Sequence, residues 1–288
     1  MIPTKQEKKQ KKDKKDKKPK TLKRGITSEW YYAIKWLAII CMVLDHTFKA
    51  INFGCSDDTL LMMKMIGRMA FPLFAWELVE CFHFTKNRVK HLFMILALAI
   101  VSEAPYDRAL KGTWCTWEWQ NVCFTFLIGW LVIWSFNLDW DKLYWNLGLK
   151  GKGIRKIVPK FAPIACFYPL YLLANYACVD YIWHGVGLVF LFEFAYRRKH
   201  RKLFEFIAIA AYAGSMGVSI SQIYLSCFFC LIPMWMSECA GTHTKSGEER
   251  QPTPAGKILT SAPSKWICRT FYPAHLLVLA IISEVIAK

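Results

Sequence analysis

The sequence predicts an all-α membrane protein, a polytopic helical bundle of about nine transmembrane segments, from three observations. Of 288 residues, 55% are apolar and 16% are aromatic, and membrane proteins concentrate Trp and Tyr at both interfaces. The apolar runs approach the roughly 20 residues that a membrane helix needs, whereas buried strands of a soluble α/β protein need only about four to eight. Basic residues also recur in alternate loops, as the positive-inside rule requires.

Nine apolar segments follow one another along the chain, and the pattern is compatible with eight to ten crossings. Several segments are short or interrupted, which is compatible with tilted or re-entrant helices. The predicted crossings are 31–50, 60–82, 91–105, 121–137, 161–178, 181–196, 203–219, 221–237 and 271–287.

The charge distribution predicts a cytoplasmic N-terminus. Residues 1–24 hold eleven Lys and one Arg against three acidic residues, out of a net charge of +17 for the whole chain. Counting from that end, all the cytoplasmic loops contain basic residues, namely 83–90, 138–160, 197–202 and 238–270. The outer loops are poor in them, namely 51–59, 106–120, 179–180 and a turn near 220. We therefore expect a multi-pass protein of the cell membrane.

Two segments are expected outside the helical bundle. Residues 1–28 form a Lys-rich tail that is too charged to join a core. The tail has no aromatic residue for stacking on bases, so we expect it to contact membrane lipid rather than nucleic acid. Residues 240–265 are rich in Gly, Pro, Ser and Thr, which predicts a flexible cytoplasmic loop. The remaining residues, 29–288 with that loop, form one transmembrane domain.

The eleven Cys residues follow no metal-binding or disulfide pattern. Cys227 and Cys230 form a C-x-x-C, but Phe228 and Phe229 lie between them in an apolar run. This setting favours a packing role over zinc or redox chemistry. We expect no metal.

The first crossing carries titratable residues that are costly in hydrocarbon. Lys35 and His46 are eleven residues apart, so on an α-helix they share a face, about 16 Å apart along the axis. Asp45 points elsewhere, about 100° from His46. Glu77 or Glu80 should lie at the depth of Lys35, and a buried charge needs a partner, so we expect Lys35 to pair with one of them.

Further polar residues are predicted at the outer ends of five segments. Water near helix ends explains Asp107 and Asp180 well, but His46 and Arg68 poorly. We therefore expect a shared pocket that is hydrated and opens outward. The residues at this depth are Asp45, His46, Arg68, Glu103, Asp107, Gln120, Asn121, Asp180 and His184.

Basic and aromatic residues are predicted at the cytoplasmic mouth, namely Arg88, Arg269, Tyr272 and His275. Pro273 is expected at the start of the last crossing. It either breaks the helix and leaves free backbone donors for an anion, or it lies in the first turn of an ordinary helix.

Three classes of function fit these residues. In acyl transfer, a cytoplasmic acyl-CoA would place its phosphates against Lys and Arg. His46 would act as a general base, because imidazole exchanges protons near neutral pH. Arg68, Gln120 or Asn121 would stabilise the oxyanion. A proton-coupled transporter would use the same residues as a proton relay. A structural membrane scaffold is the third class.

A resemblance favours acyl transfer. The phrases "LAIICMVLDHT", "IGRMAFPLFAWELVECFHFTKNRVKHL", "SEAPYD", "QNVCFT" and "FYPAHLL" occur in order and resemble the TraX-like family over roughly residues 31–287. That family is known for the membrane acetyltransferase that modifies the N-terminus of conjugative pilin. It resembles in turn the acyltransferase-3 membrane enzymes, whose basic residue and His have the spacing of Lys35 and His46.

The resemblance implies acetyl-CoA as the acetyl donor and His46 as the catalytic residue. We expect Asp45, Arg68, Glu103 and Asp107 beside it in the catalytic group. The predicted acceptor-binding residues are Gln120, Asn121, Asp180 and His184. The predicted donor-binding residues are Lys35, Arg88, Arg269, Tyr272 and His275. The acceptor stays open among a protein N-terminus, a peptide, a glycan and a cell-wall amine.

Overall fold

The computed structural model describes residues 27–51, 53–146, 152–215, 224–240 and 253–286. Within these ranges the chain is helical, apart from turns and an isolated bridge between Gln120 and Val179. The all-α class is thereby confirmed. Most of the predicted tail, residues 1–26, lies outside the described residues, as do 241–252 in the predicted loop and the turn near 220.

The helices follow the predicted segments in order, with shifted ends. The first six are α1 (Ser28–Ala50), α2 (Asp57–Arg68), α3 (Ala70–Phe84), α4 (Arg88–Lys111), α5 (Val122–Phe136) and α6 (Trp140–Asn146). The next three are α7 (Lys152–Tyr176), α8 (Ile182–Tyr196) and α9 (Arg201–Ser215). A 3₁₀ helix, Leu225–Cys230, then precedes α10 (Leu231–Ala240), α11 (Pro254–Leu259) and α12 (Ala262–Ile286). We call the end of the bundle that contains Ser28 the inner end, and the end that contains Ala50 the outer end.

Helix α3 lies at the centre of the largest apolar core. Its side chains Leu73, Trp76 and Phe82 are almost fully buried, and they pack with residues of α1, α5, α8 and α9. A second core joins α1, α4 and α12, with Leu276 and Ala99 at 0% exposure. The two cores share partly buried residues such as Leu37 and Phe74, so α1 lies between them.

The second predicted crossing, 60–82, is not one continuous helix. The chain forms α2 and α3 with a break at Met69. Pro72 lacks the N–H that would bond to the carbonyl of Arg68, and proline within a helix removes that bond and crowds the preceding turn. The break is therefore a consequence of Pro72 in "MAFP". The prediction of one continuous crossing followed the apolar residues and did not take this proline into account.

Side chains of the 3₁₀ helix Leu225–Cys230 donate to three carbonyls around this break. Ser226 Oγ donates to the Met65 carbonyl at 2.5 Å. The thiols of Cys227 and Cys230 donate to the carbonyls of Arg68 and Met69 at 3.5 and 3.4 Å. Because buried carbonyls need donors, the C-x-x-C sequence stabilises a helix break as well as packing into the core.

We expect Ser226→Ala to lower the free energy of unfolding by about 1–2 kcal/mol, since the Met65 carbonyl would lose a buried partner. The matched control is Ser283→Ala, whose hydroxyl donates to the Ala280 carbonyl of its own helix at 2.9 Å. That change should stay within about 0.5 kcal/mol. Denaturant unfolding in detergent measures both, and equal stabilities would contradict the capping role.

Pro105 and Pro273 lie inside helices rather than at their ends. Pro105 is within α4, so "SEAPYD" does not end the third crossing at residue 105. Pro273 lies in the middle of α12, which begins at Ala262. Both predicted positions for Pro273, a broken start and a first turn, are therefore wrong. The predicted crossing starts at residue 271, where the apolar residues start, whereas the first turns of the helix are polar.

Two helical stretches fall within the predicted loop 240–265, namely α11 and the first residues of α12. Thr253 caps α11 by accepting from Gly256 N at 3.0 Å, and Pro254 occupies the favourable first position. Glu29 of α1 accepts from Thr253 N at 3.2 Å. These bonds fasten α11 to the inner end of α1.

Two described helices, α4 and α12, are long and apolar enough to cross a membrane. Only 22% and 28% of their most apolar windows are buried, so most of each window lies at the surface of the bundle. Large apolar side chains such as Phe93, Ile100 and Val285 are more than 60% exposed. Apolar surface of this extent is typical of a protein that contacts lipid.

Candidate functional site

Two adjoining cavities of about 370 Å³ each enter the bundle from its inner end. The cavity nearer the inner end is lined by polar and basic residues, among them Ser28, Lys265 and Arg269. The deeper one continues between α1, α3, α4 and α12 along apolar residues such as Ile39 and Leu98. Both are lined by Lys35, Cys81, His91 and Arg269, so they form one path, which we call the inner cavity.

Lys35 forms the predicted ion pair within the inner cavity. Its ammonium lies 3.6 Å from the Glu77 carboxylate, which is 3% exposed. Glu80, the other predicted partner, instead binds Arg201 at 2.5 Å. The prediction that α1 and the second segment pair charges at this depth is therefore confirmed for Glu77.

His46 is buried against His275 beyond the deep end of the inner cavity. His46 Nδ1 lies 2.8 Å from His275 Nε2, and the two ring planes are within 4° of parallel. Tyr272 lines the cavity, and its ring centre is 6.2 Å from that of His46. The predicted position of His275 and Tyr272 at the inner mouth is therefore wrong, because α12 starts earlier than expected and carries both residues deeper.

The hydrogen bonds of the His pair fix its tautomers. His275 Nδ1 lies 3.1 Å from the Phe271 carbonyl, and a carbonyl only accepts, so His275 carries its proton on Nδ1. In a neutral His275 ring Nε2 then accepts, and His46 Nδ1 donates to it. The unprotonated nitrogen of His46 is therefore Nε2, which leaves that atom available as a base.

A second, smaller pocket of about 40 Å³ lies on the outer side of His46. Its polar lining is His46, Asp45, Lys49, Asp180 and the ring of Tyr181. It is separated from the inner cavity by four side chains that line both spaces, namely Met42, Phe74, Val122 and Phe126. We call this space the outer pocket.

Asp45 is held in the outer pocket by Lys49, one turn further along α1. Lys49 Nζ lies 2.5 Å from Asp45 Oδ2. Among the described residues Asp45 Oδ1 has no hydrogen-bond partner although it is buried. Gly67 allows the close approach of α2, because a side chain there would overlap Asp45. The outer pocket thus contains a carboxylate oxygen that is free to accept.

Arg68 reaches the outer pocket through Tyr181. Its guanidinium donates to Tyr181 Oη at 3.1 Å and lies over the rings of Tyr181 and Tyr224 at 5.9 and 5.6 Å. Asp180 lies in the turn before α8, where burial raises the pKa of its carboxyl against the opposing charges of Lys49 and Arg68. Asp45, His46 and Asp180 of the predicted group therefore line one pocket, and Arg68 contacts its wall through Tyr181.

The other predicted pocket residues have local structural partners, and none lines the outer pocket. Asn121 caps α5 by accepting from Cys123 N at 2.9 Å, and its amide donates to Glu103 at 2.5 Å. Asp107 binds Lys111 and accepts from Thr116 N, at 2.7 and 2.8 Å. Gln120 pairs through its backbone with Cys178 and Asp180. These residues stabilise the turns at the outer end of the bundle. Their predicted depth in the membrane is the same for this role as for lining a pocket.

His184 and Arg88 also lie apart from the spaces where they were expected. His184 Nδ1 is 2.8 Å from Ser215 Oγ of α9, since the first turn of α8 faces that helix. Arg88 lies over the Phe82 ring at 4.4 Å. Neither side chain lines the inner cavity or the outer pocket.

Sequence reasoning missed several lining residues. Lys49 follows Asp45 by four positions, and this spacing on a helix was a readable signal. Lys265 was assigned to a loop. His91 approaches Cys81 at 3.4 Å between Nε2 and Sγ, a contact between two helices that carries no local signal.

Comparison with protein families matches residues 31–283 to the family described as TraX protein. The chain belongs to the TraX family. The match covers α1 through most of α12, including the His46–His275 pair and both spaces beside it, and it agrees with the range expected from the motifs. No curated protein and no solved structure matches the chain. The predicted relation of this TraX-family chain to the acyltransferase-3 enzymes stays a prediction.

Proposed function

We propose that this TraX-family chain is a membrane acetyltransferase that moves an acetyl group from cytoplasmic acetyl-CoA to an amine or hydroxyl acceptor. The observation that carries the proposal is the buried His46–His275 pair, next to the deep end of a long cavity with a basic mouth. A structural scaffold has no need for a neutral imidazole oriented in this way.

We also propose that the bundle crosses the cell membrane about nine times with its inner end in the cytoplasm. The Lys-rich N-terminus and the basic predicted loops support this orientation. The exposed apolar faces of α4 and α12 support contact with lipid. In this orientation the inner cavity opens to cytoplasmic acetyl-CoA, and the outer pocket faces the acceptor.

The inner cavity suits a donor with a charged head and a long arm. Lys265 and Arg269 at its mouth would bind the phosphates of acetyl-CoA. The distance along α12 from Lys265 to His275 is about 15 Å for ten residues. The apolar lining between these ends would hold the pantetheine arm, and the thioester would lie at the boundary between the two spaces.

The chemistry follows from the tautomers of the His pair. The acceptor nitrogen or oxygen attacks the thioester carbonyl carbon, and His46 Nε2 takes the proton of the acceptor. The carbonyl electron pair moves to oxygen and forms a tetrahedral intermediate. When the intermediate collapses, the carbon–sulfur bond breaks and CoA leaves as the thiol with the proton from His46. His275 stabilises the imidazolium by accepting from Nδ1.

The test uses purified protein, radiolabelled acetyl-CoA and membrane extract. We expect a labelled product whose mass identifies the acceptor. The alternative, a proton-coupled transporter with the same residues, predicts no labelled product and substrate movement without acetyl-CoA. Absence of label on every component of the extract would contradict the acetyltransferase.

Arg269→Ala should raise the KM for acetyl-CoA about tenfold while leaving kcat unchanged, because a phosphate contact made equally in ground and transition states affects only KM. A tenfold change corresponds to about 1.4 kcal/mol. The matched control is Lys90→Ala, an exposed basic residue near the inner end that lines neither space. Steady-state kinetics at varied acetyl-CoA measures both, and an unchanged KM for Arg269→Ala would contradict the predicted mouth.

A further inference from the structure

One buried hydroxyl beside the His pair stands out among the described residues. Tyr272 is 8% exposed, and among the described residues its Oη makes no hydrogen bond. A buried donor left in this way costs about 1–3 kcal/mol. A buried polar group of this kind calls for an explanation, and a catalytic role is one that native structures provide.

The position of Tyr272 identifies the kind of ligand. Its side chain lines the deep part of the inner cavity, and its ring centre lies 5.6 Å from that of His275. His46 lines the outer pocket. The two side chains thus approach the boundary between the spaces from opposite sides, and a thioester at the boundary would lie between a hydroxyl donor and a base.

Two buried donors of the large apolar core, a tyrosine hydroxyl and an indole N–H, differ from Tyr272 in their surroundings. Tyr212 Oη and Trp130 Nε1 also lack partners among the described residues. Both belong to the large apolar core, and neither lines the inner cavity or the outer pocket. Only Tyr272 of these three is beside a space that a substrate can occupy.

We propose that Tyr272 is a catalytic residue that donates its hydroxyl proton in a hydrogen bond to the acetyl carbonyl oxygen. This assignment rests on the proposed acetyl transfer. As the acceptor attacks, negative charge develops on that oxygen, and a preformed donor in a buried site stabilises it. His46 takes the acceptor proton, so the two residues act on different atoms of the same step and no proton leaves Tyr272.

The decisive variant is Tyr272→Phe, which removes one oxygen atom and keeps the ring. Loss of one oxyanion donor typically costs about 10²- to 10³-fold in kcat, and we expect about 100-fold here. The KM for acetyl-CoA should change less than threefold. The loss should be equal at every pH, because His46 remains the base. The affinity for CoA itself, which lacks the carbonyl, should not change.

Tyr212→Phe is the matched control, since it removes a buried hydroxyl that has no hydrogen-bond partner among the described residues and lines neither space. It should keep the kcat of the wild type. A Tyr272→Phe enzyme within threefold of wild-type kcat would overturn the assignment. So would a loss shared by Tyr212→Phe, or one that accompanies a lower unfolding temperature, because a structural role predicts those results. A wild-type enzyme that transfers no acetyl group would instead end the proposed function, and this assignment with it.

Discussion

Replacing His46 by Ala is expected to lower kcat/KM for acetyl transfer by about 10²- to 10⁴-fold, the range for loss of a general base. His46 Nε2 is the basic atom that the His275 contact leaves unprotonated, and the alanine variant has no atom in its place. The KM for acetyl-CoA should change little, because the donor contacts lie at the other end of the inner cavity. Initial rates with labelled acetyl-CoA measure the effect.

The control for this variant is His200→Ala, an exposed histidine between α8 and α9. It should keep wild-type rates. Membrane abundance and unfolding temperature are measured in parallel for both variants. A His46→Ala enzyme that is folded and retains more than about a third of wild-type activity would contradict the role of the base.

Replacing Arg201 by Ala is expected to give the largest loss of stability, about 3–5 kcal/mol, since it leaves buried carboxylates without their counter-charge. The guanidinium contacts Glu80, Glu205 and Glu238 at 2.5–2.7 Å, and its side chain is 10% exposed. Trp76 also donates to Glu205 at 2.9 Å. Loss of Arg201 therefore disturbs α3, α9 and α10 together.

Denaturant unfolding in detergent measures this loss. Lys199→Ala, at an exposed position two residues earlier, should change stability by less than about 0.5 kcal/mol. Adding Glu80→Gln to the Arg201→Ala variant should recover part of the loss, because it removes one uncompensated charge. An Arg201→Ala protein as stable as the Lys199→Ala protein would show that the cluster is not what holds these helices together.

The sequence predicted the features that depend on one helix and its periodicity. The shared face of Lys35 and His46 follows from 100° per residue, and the Lys35–Glu77 pair follows from matching depths on adjacent segments. The all-α class follows from long apolar runs. Each of these needs only the order of the segments along the chain.

The features that sequence reasoning missed depend on how helices pack. His46 meets His275 across 229 positions, and nothing local in "FYPAHLL" indicates that contact. Asn121 and His46 were predicted at one depth, but the Asn121 side chain caps a helix and the His46 side chain lines a pocket. Depth alone does not distinguish these two roles. The position of Pro273 was predicted wrongly because proline is common at helix starts and rare inside helices, so the sequence pattern favours a start.

The central claim is that acetyl-CoA on the inner side provides the acetyl group that His46 helps to transfer. Proteoliposomes of known protein orientation, with labelled acetyl-CoA supplied only to the inner end and membrane extract to the outer end, test it most directly. We predict labelled acetyl covalently bound to an acceptor at the outer side with the wild type, and at least a hundredfold less with His46→Ala. Label that remains entirely on CoA, while an unmodified substrate crosses the bilayer, would contradict the account.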